Sequence, residues 1–233
     1  TVVGGSGFIG TNLCRLLEND GFDFEIIDLK KSHSFPEKTK IADVRDIEAL
    51  GDKIAGQVLI NLAAVHRDDV VDRSEYYTTN VDGNRNLIKI AEQRGISRIV
   101  FTSTVAVYGF SPPNTNELGA INPFNDYGRS KYLGEEVLRS WHAADPVERH
   151  LLIVRPTVVF GEGNRGNVYN LFRQIASRSF MMIGDGTNRK SMAYVGNIAR
   201  FLAHLINNEE GVKLYNYVDQ PNLDMNTLVR KVK

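Results

Sequence analysis

The chain has 233 residues, with 28 Lys and Arg against 28 Asp and Glu and a single cysteine, so its formal net charge is zero. That length can bury a sizeable core and excludes a disulfide-stapled miniprotein. Balanced charge without like-charge runs argues against a nucleic-acid tail or a polybasic membrane patch, and the expected partner is a small molecule, with no nucleic acid and no membrane.

Taken in chain order, apolar runs rich in β-branched residues alternate with segments of helical period, the pattern of an α/β protein with a parallel sheet covered on both faces. Strands are predicted at TVV, FEIIDL, VLINLAA, RIVFTST and HLLIVRPTVVF, with a short one after residue 40. Phe8, Ile9, Leu13, Leu16 and Leu17 form one helical stripe that ends near Gly21. A second helix is predicted from about Ser74 to Arg94 and a third from about Tyr127 to Trp141. After Arg155-Pro156 the alternation weakens into a loop GEGNRGN, a helix from Asn167 to Ala176, a strand FMMIG, a helix through Ile198 to Ile206 and a strand LYNYV. These pieces read as a smaller lobe laid against the main sheet, which divides the chain into residues 1–156 and 157–233. Both ends read as cut, since TVV is shorter than the ~5 to 6 residues of a usual strand and MNTLVRKVK stops inside an amphipathic pattern. Cys14, alone on the first helix, fits a buried thiol and a reducing, cytoplasmic compartment.

Gly4-x-x-Gly7-x-x-Gly10 lies between a strand and a helix. Missing β-carbons there permit a tight turn, the close approach of a pyrophosphate and close packing of helix on strand. The helix N-terminus at Phe8 and Ile9 then faces the phosphates, and its free N–H groups suit an anion without any lysine. A lone glycine triplet also arises in ordinary turns, so the context matters. Asp28 ends the next strand, where a carboxylate can accept both hydroxyls of an adenosine ribose and repel a 2′-phosphate, favouring NAD; Lys30 and Lys31 beside it leave NADP open. Asp43, followed by Val44, is placed to meet an adenine amino group, or is simply a helix cap. Ala63 and Ala64 would let the dinucleotide lie on bare backbone, or are packing at a strand end.

Tyr127 and Lys131 stand four apart, so on a helix they share a face about one turn apart. An ammonium there favours phenolate and lowers the tyrosine pKa from its ordinary ~10 toward working pH, as an acid/base for a carbinol requires. Lys131 is also placed to hold the nicotinamide ribose. The spacing alone is common, but the hydroxyl cluster Thr102-Ser103-Thr104 ends a strand at the carboxyl edge of the sheet, where ligands bind in such folds.

The ordered set GGSGFIG, the acidic strand end at Asp28, NLAA, TNVDGNRNLI, FTSTVAVYG, NPFNDYGRSK and LIVRPTVVFG resembles the extended short-chain dehydrogenase/reductases, specifically the NAD-dependent epimerase/dehydratase family that acts on nucleotide sugars. The resemblance covers nearly the whole chain. It implies a Rossmann-type doubly wound parallel sheet, with residues 1–156 binding NAD, residues 157–233 forming a small C-terminal substrate-binding lobe, and a homodimer. It makes Tyr127 the acid/base, Lys131 its electrostatic partner, Thr104 the hydroxyl on the reacting oxygen, with Ser103 one position off, and Asn80 a brace on the cofactor side. Asn167, Arg189 and Lys190 are the implied substrate contacts; Lys190 falls where the family has a phosphate-gripping arginine, and Val158 replaces a frequent asparagine. The loop after Tyr108 is expected to shape the substrate pocket, and Glu117 in it resembles a family glutamate without a derivable role. The five histidines lack metal-ligand spacing, and no metal is expected.

The family's 4,6-dehydratases resemble one another in carrying Asp-Glu directly after the catalytic Thr, whereas Val105 and Ala106 stand here. Elimination then lacks its second acid/base pair. What remains is 4-epimerisation of a UDP-hexose or UDP-N-acetylhexosamine through a 4-keto intermediate, or reduction of a nucleotide-4-keto-sugar by NADH or NADPH. The residues do not separate these two. A dinucleotide sensor without catalysis is a third reading, one that has no need of Thr104, Tyr127 and Lys131 together.

Overall fold

The computed structural model describes residues 1–67 and 69–232. In chain order the elements are β1 (Val2–Val3), α1 (Phe8–Asn19), β2 (Ile26–Asp28), β3 (Thr39–Ile41), α2 (Ile47–Leu50), β4 (Val58–Asn61), α3 (Ser74–Tyr77), α4 (Gly83–Gln93) and β5 (Arg98–Thr102). There follow α5 (Asp126–Ala143), β6 (His150–Pro156), β7 (Val158–Phe160), α6 (Asn167–Ala176), β8 (Met192–Tyr194), α7 (Val195–Asn208), β9 (Val212–Tyr217) and α8 (Met225–Val232). Seven strands make the main sheet in the order β3-β2-β1-β4-β5-β6-β9, and every neighbouring pair is parallel.

A parallel sheet covered on both faces needs strands that are apolar throughout, because neither face meets water. Leu151, Leu152, Ile153 and Val154 of β6 are accordingly all fully buried. On one face Leu87 and Ile90 of α4 and Leu138 and Trp141 of α5 pack with Ile99, Phe101 and Leu151. On the other, Leu13 and Leu17 of α1 and Ile198 and Leu202 of α7 pack with Ile26, Val100 and Leu152. The chain reversal between β1 and β4 puts the carboxyl ends of β1, β2, β4 and β5 around one crevice.

Four expectations are corrected. HLLIVRPTVVF is two strands: β6 ends at Pro156, and β7 leaves the main sheet to pair with β8. FMMIG is not a strand; it has no partner, Met181 and Ile183 are exposed, and the pairing role falls to Met192–Tyr194. Strand propensity without a neighbouring strand does not make a strand. LYNYV, expected in the lobe, belongs to the edge strand of the main sheet, paired along β6. The helix from Ser74 is interrupted by a π-helical turn over Thr78–Asp82, a local widening that often marks functional sites.

Candidate active site

Gly4 has φ +79, and a Cβ there would sit 2.7 Å from the Ala63 nitrogen. A Cβ on Gly10 would lie 2.5 Å from both Gly4 O and Gly5 Cα, so α1 can close on the β1 turn only without one. Gly7 differs, since the one atom near its missing Cβ is Gly4 O at 3.2 Å. No side chain caps α1 among the described residues, so the N–H groups at Phe8 and Ile9 stay available to an anion. Asp28 is tied to this turn: Oδ2 accepts the Ser6 N–H at 3.0 Å and Oδ1 the Lys30 N–H at 3.2 Å. A carboxylate has about four acceptor positions, and two remain for a ribose diol. The glycine cradle and this half-used carboxylate fit a dinucleotide. Ala63 and Ala64 are half-buried; Ala63 lies against Gly4, and its N–H is held by Asn61 Oδ1 at 3.0 Å.

Asp43 and Val44 stand less open. Arg45 grips both Asp43 oxygens, at 3.0 and 2.9 Å from Nε, and its side-chain hydrogen bonds hold that carboxyl below the ordinary range. An adenine amino group would share this acceptor with Arg45. Val44 is buried against Gly83, and its carbonyl accepts from Asn86 Nδ2 at 3.0 Å.

The acid/base side is built where α5 meets the end of β5. Thr104 caps a short 3₁₀ turn, Val105–Tyr108, with Oγ1 accepting the Ala106 N–H at 3.1 Å, which leaves its own O–H to donate. Asn125 caps α5 through Gly128 N–H at 2.9 Å. A Cβ on Gly128 would lie 2.6 Å from Ala106 O, so the first turn of α5, which carries Tyr127, packs directly on the turn that carries Thr104. Lys131 follows one helical turn later and is 1% exposed, with Nζ 4.1 Å from the centroid of the Phe101 ring on β5. Burial pushes its ammonium pKa down to about 7, with Glu135 pulling it back up. The fold thus brings Thr104, Tyr127 and Lys131 to one edge of the sheet. Beside them the hydroxyl of Ser103 is buried without a partner among the described residues, an orphan polar atom that a bound ligand would satisfy.

Asn80 ties two segments of the site together. Its amide oxygen accepts the Val65 N–H at 3.0 Å, and Nδ2 donates to Val65 O at 3.1 Å and Ser130 Oγ at 2.9 Å. Both its amide protons and one acceptor position of its oxygen fasten the segment after β4 to the residue preceding Lys131. It sits in the π-helical turn, and Gly134 of α5 lies so close that a Cβ there would be 2.6 Å from Asn80 O. Sequence reasoning missed Ser130, Glu135 and Arg155. Arg155 Nε donates to Glu135 Oε1 at 2.8 Å and Nη2 to Oε2 at 2.5 Å, with both residues buried. The signals were present, in an arginine inside the apolar run LLIVRP and a glutamate four residues after Lys131.

Of the three substrate candidates, Arg189 and Lys190 are neighbours in the chain and Asn167 opens α6. Asn167 is exposed at the start of α6, Arg189 is exposed and bridges to Asp224 through its backbone, and Lys190 precedes β8 half-buried. A shallow cleft of about 270 Å³ among β7, β8 and α6 is lined by Phe160, Tyr169, Phe172 and Tyr194 but by none of the three. Among the described residues no His, Cys, Asp and Glu cluster could hold a metal ion, and no helix is long and apolar enough to cross a membrane.

A dinucleotide turn under such a sheet, with a Tyr/Lys helix docked on a threonine turn, defines the short-chain dehydrogenase/reductase class. Within it the chain belongs to the NAD dependent epimerase/dehydratase family, whose profile matches residues 1–217. It is 52% identical to the N-acetyl-alpha-D-glucosaminyl-diphospho-ditrans,octacis-undecaprenol 4-epimerase of Escherichia coli O157:H7, an alignment spanning all of this chain and 70% of that protein. Among solved structures it resembles MoeE5 in complex with UDP-glucose and NAD, with TM-score 0.84 and 23% identity over 99% of this chain and 79% of the other. It also resembles the UDP-Glc/GlcNAc 4-epimerase of Campylobacter jejuni, with TM-score 0.78 and 24% identity over 98% and 80%. At those identities the two structures speak to the fold alone.

Proposed function

We propose that this chain is an NAD-dependent 4-epimerase of a sugar carried on a diphosphate, working through a 4-keto intermediate. The observation that carries the reading is the 52% identity to a 4-epimerase over the whole chain. The site is consistent with it, having one acid/base pair and no Asp-Glu after Thr104, where Val105 and Ala106 stand. When bound, NAD supplies a reversible hydride acceptor for the sugar C4. Gly4, Gly7, Gly10 and the α1 N-terminus would hold its diphosphate, Asp28 its adenosine ribose and Lys131 its other ribose. Tyr127 takes the proton of the sugar 4-hydroxyl and later returns one to the same oxygen on the epimer, so the proton count closes. Thr104 donates a hydrogen bond to that oxygen and holds it beside Tyr127. Lys131 favours the phenolate, and because burial makes its own charge costly, a phenolate neighbour stabilises both groups. Arg189 and Lys190 are the cations available to the diphosphate.

For the carrier, the resemblance favours UDP, whereas the 52% identical relative is named for a polyprenyl diphosphate, and that likeness supports N-acetylglucosamine on a polyprenyl carrier as the second reading. The test is to incubate the purified protein, without added cofactor, with UDP-N-acetylglucosamine, with UDP-glucose and with N-acetylglucosaminyl-diphospho-undecaprenol in detergent. A C4 epimer formed over many turnovers from one of them is expected. No epimer from any of the three, together with stoichiometric NADH or NADPH oxidation on a UDP-4-keto-sugar, would replace the epimerase with a reductase.

A further inference from the structure

The loop from Gly109 to Asn122 leaves the turn that Thr104 caps and returns just ahead of Tyr127. Its two ends are closed on each other by the Asn122 N–H, which donates to Val107 O at 3.0 Å. Such an excursion touches the body of the protein at few points. Apolar burial holds it weakly, because Phe110 is 89% and Leu118 92% exposed, and Phe110 stacks only on Phe124 next door.

Two of its contacts meet at one residue, Asn216 of β9. Glu117 Oε1 accepts the Asn216 backbone N–H at 2.7 Å, and Asn216 Nδ2 donates to Thr115 O at 3.4 Å. Strand β9 is the edge of the sheet, so the carboxylate takes an N–H that no strand pairs. Asn216 is itself fixed from behind: its Oδ1 accepts the Tyr108 hydroxyl proton at 2.8 Å, and that hydroxyl accepts from Arg155 Nη1 at 2.7 Å. Arg155 in turn is held by Glu135, one helical turn beyond Lys131. Tyr108, Arg155 and Glu135 are all nearly or wholly buried, and each has its polar atoms engaged, the condition under which such a network is rigid.

We propose that Glu117 is a positioning residue: by clamping Asn216 it seats the 109–122 loop beside Thr104 and Tyr127, with the buried Tyr108–Arg155–Glu135 cluster as its footing. A single charge-assisted hydrogen bond then sets the sugar side of the site, where apolar packing does not. That the loop faces a sugar rests on the 4-epimerase reading; that Glu117 seats it does not.

The test compares Glu117→Ala and Glu117→Gln in the full chain, since glutamine retains an acceptor for the Asn216 N–H. Hydrogen–deuterium exchange is expected to accelerate over residues 109–122 in E117A, to stay at the wild-type rate over residues 126–143, and to be restored over the loop in E117Q. With a turned-over sugar substrate, E117A should raise KM by about tenfold, the loss of one hydrogen bond to a charged group, with kcat near wild type and E117Q close to normal. Wild-type exchange in E117A, or E117Q behaving as E117A, overturns the proposal. A parallel fall of kcat and of stability would reduce Glu117 to general support and overturns it as well. If the wild type epimerises none of the sugars, the functional reading fails while the exchange measurement still decides the role of Glu117.

Discussion

The sheet half and the lobe of β7, β8 and α6 hold their polar side chains in opposite ways. Around the sheet, Asn80, Asn61, Asn84, Arg155 and Glu135 are buried and paired with named partners. In the lobe Asn167 and Arg189 stand in solvent, and Lys190 is half-buried. A buried polar group must find its partner in the fold or cost free energy, so the machinery near Lys131 is set before any ligand arrives. Solvated cations have no such compulsion and take their geometry from what they bind.

If that contrast is right, the sheet half should be brittle and the lobe forgiving. The largest effect is expected at Tyr127→Phe, which should lower turnover by about 10²- to 10⁴-fold while NAD affinity, measured by equilibrium dialysis, stays near wild type. Retained turnover would remove the acid/base. Next comes Arg155→Met, which strands Glu135 as a buried charge and should cost about 3–5 kcal/mol in urea unfolding. The double variant with Glu135→Leu should recover most of it, and failure to do so would mean that the pair matters beyond its charges.

A smaller effect follows from Lys131, whose folded pKa of about 7 lies below the ordinary 10.5 of the unfolded chain. Between those values the unfolded state binds the extra proton, so stability rises with pH across that window, and below it the burial penalty is constant. Compared with Lys131→Met, the ligand-free wild type should therefore gain stability from pH 7 to 9, by at most about 2–3 kcal/mol, read by urea unfolding at each pH. A flat difference would show the ammonium to be better solvated than its burial indicates. The smallest effects belong to Arg189→Ala and Lys190→Ala, each expected to shift KM by about two- to fivefold, as exposed ionic contacts do, without changing Tm. A large loss at either would break the contrast between the two regions.

Much of the sheet half is legible in the chain because its constraints are local. A turn that cannot tolerate β-carbons writes Gly4 and Gly10 within seven residues, and a shared helix face writes Tyr127 and Lys131 four apart. The hydroxyl cluster Thr102-Ser103-Thr104 shows in its place after an apolar strand, and the resemblance singles out Thr104 within it. The rest depends on partners distant in sequence. Nothing near FMMIG or SMAYV shows which of them β7 will pair with, so propensity chose the wrong one. Asn80 matched a familiar position, but only the fold reveals that its amide binds Val65 and Ser130. Glu117 had no derivable role because its partner, Asn216, comes ninety-nine residues later.

The seventh strand carries a consequence for anyone who would dissect the molecule. The chain departs at Pro156, makes its detour, and comes home through β8 straight into α7 and β9. The detour is tied down again after β9, where the Asp219 N–H donates to Met192 O at 2.9 Å and the Met225 N–H to Asn188 O at 3.0 Å, so a hinge beneath it must bend that crossing as well. Clipping the polypeptide at residue 156 would spare every glycine of the turn and the Tyr127–Lys131 step. It would also strip the flank from β6 and uncover Leu13 and Leu17, leaving a sticky fragment rather than a free-standing cofactor binder.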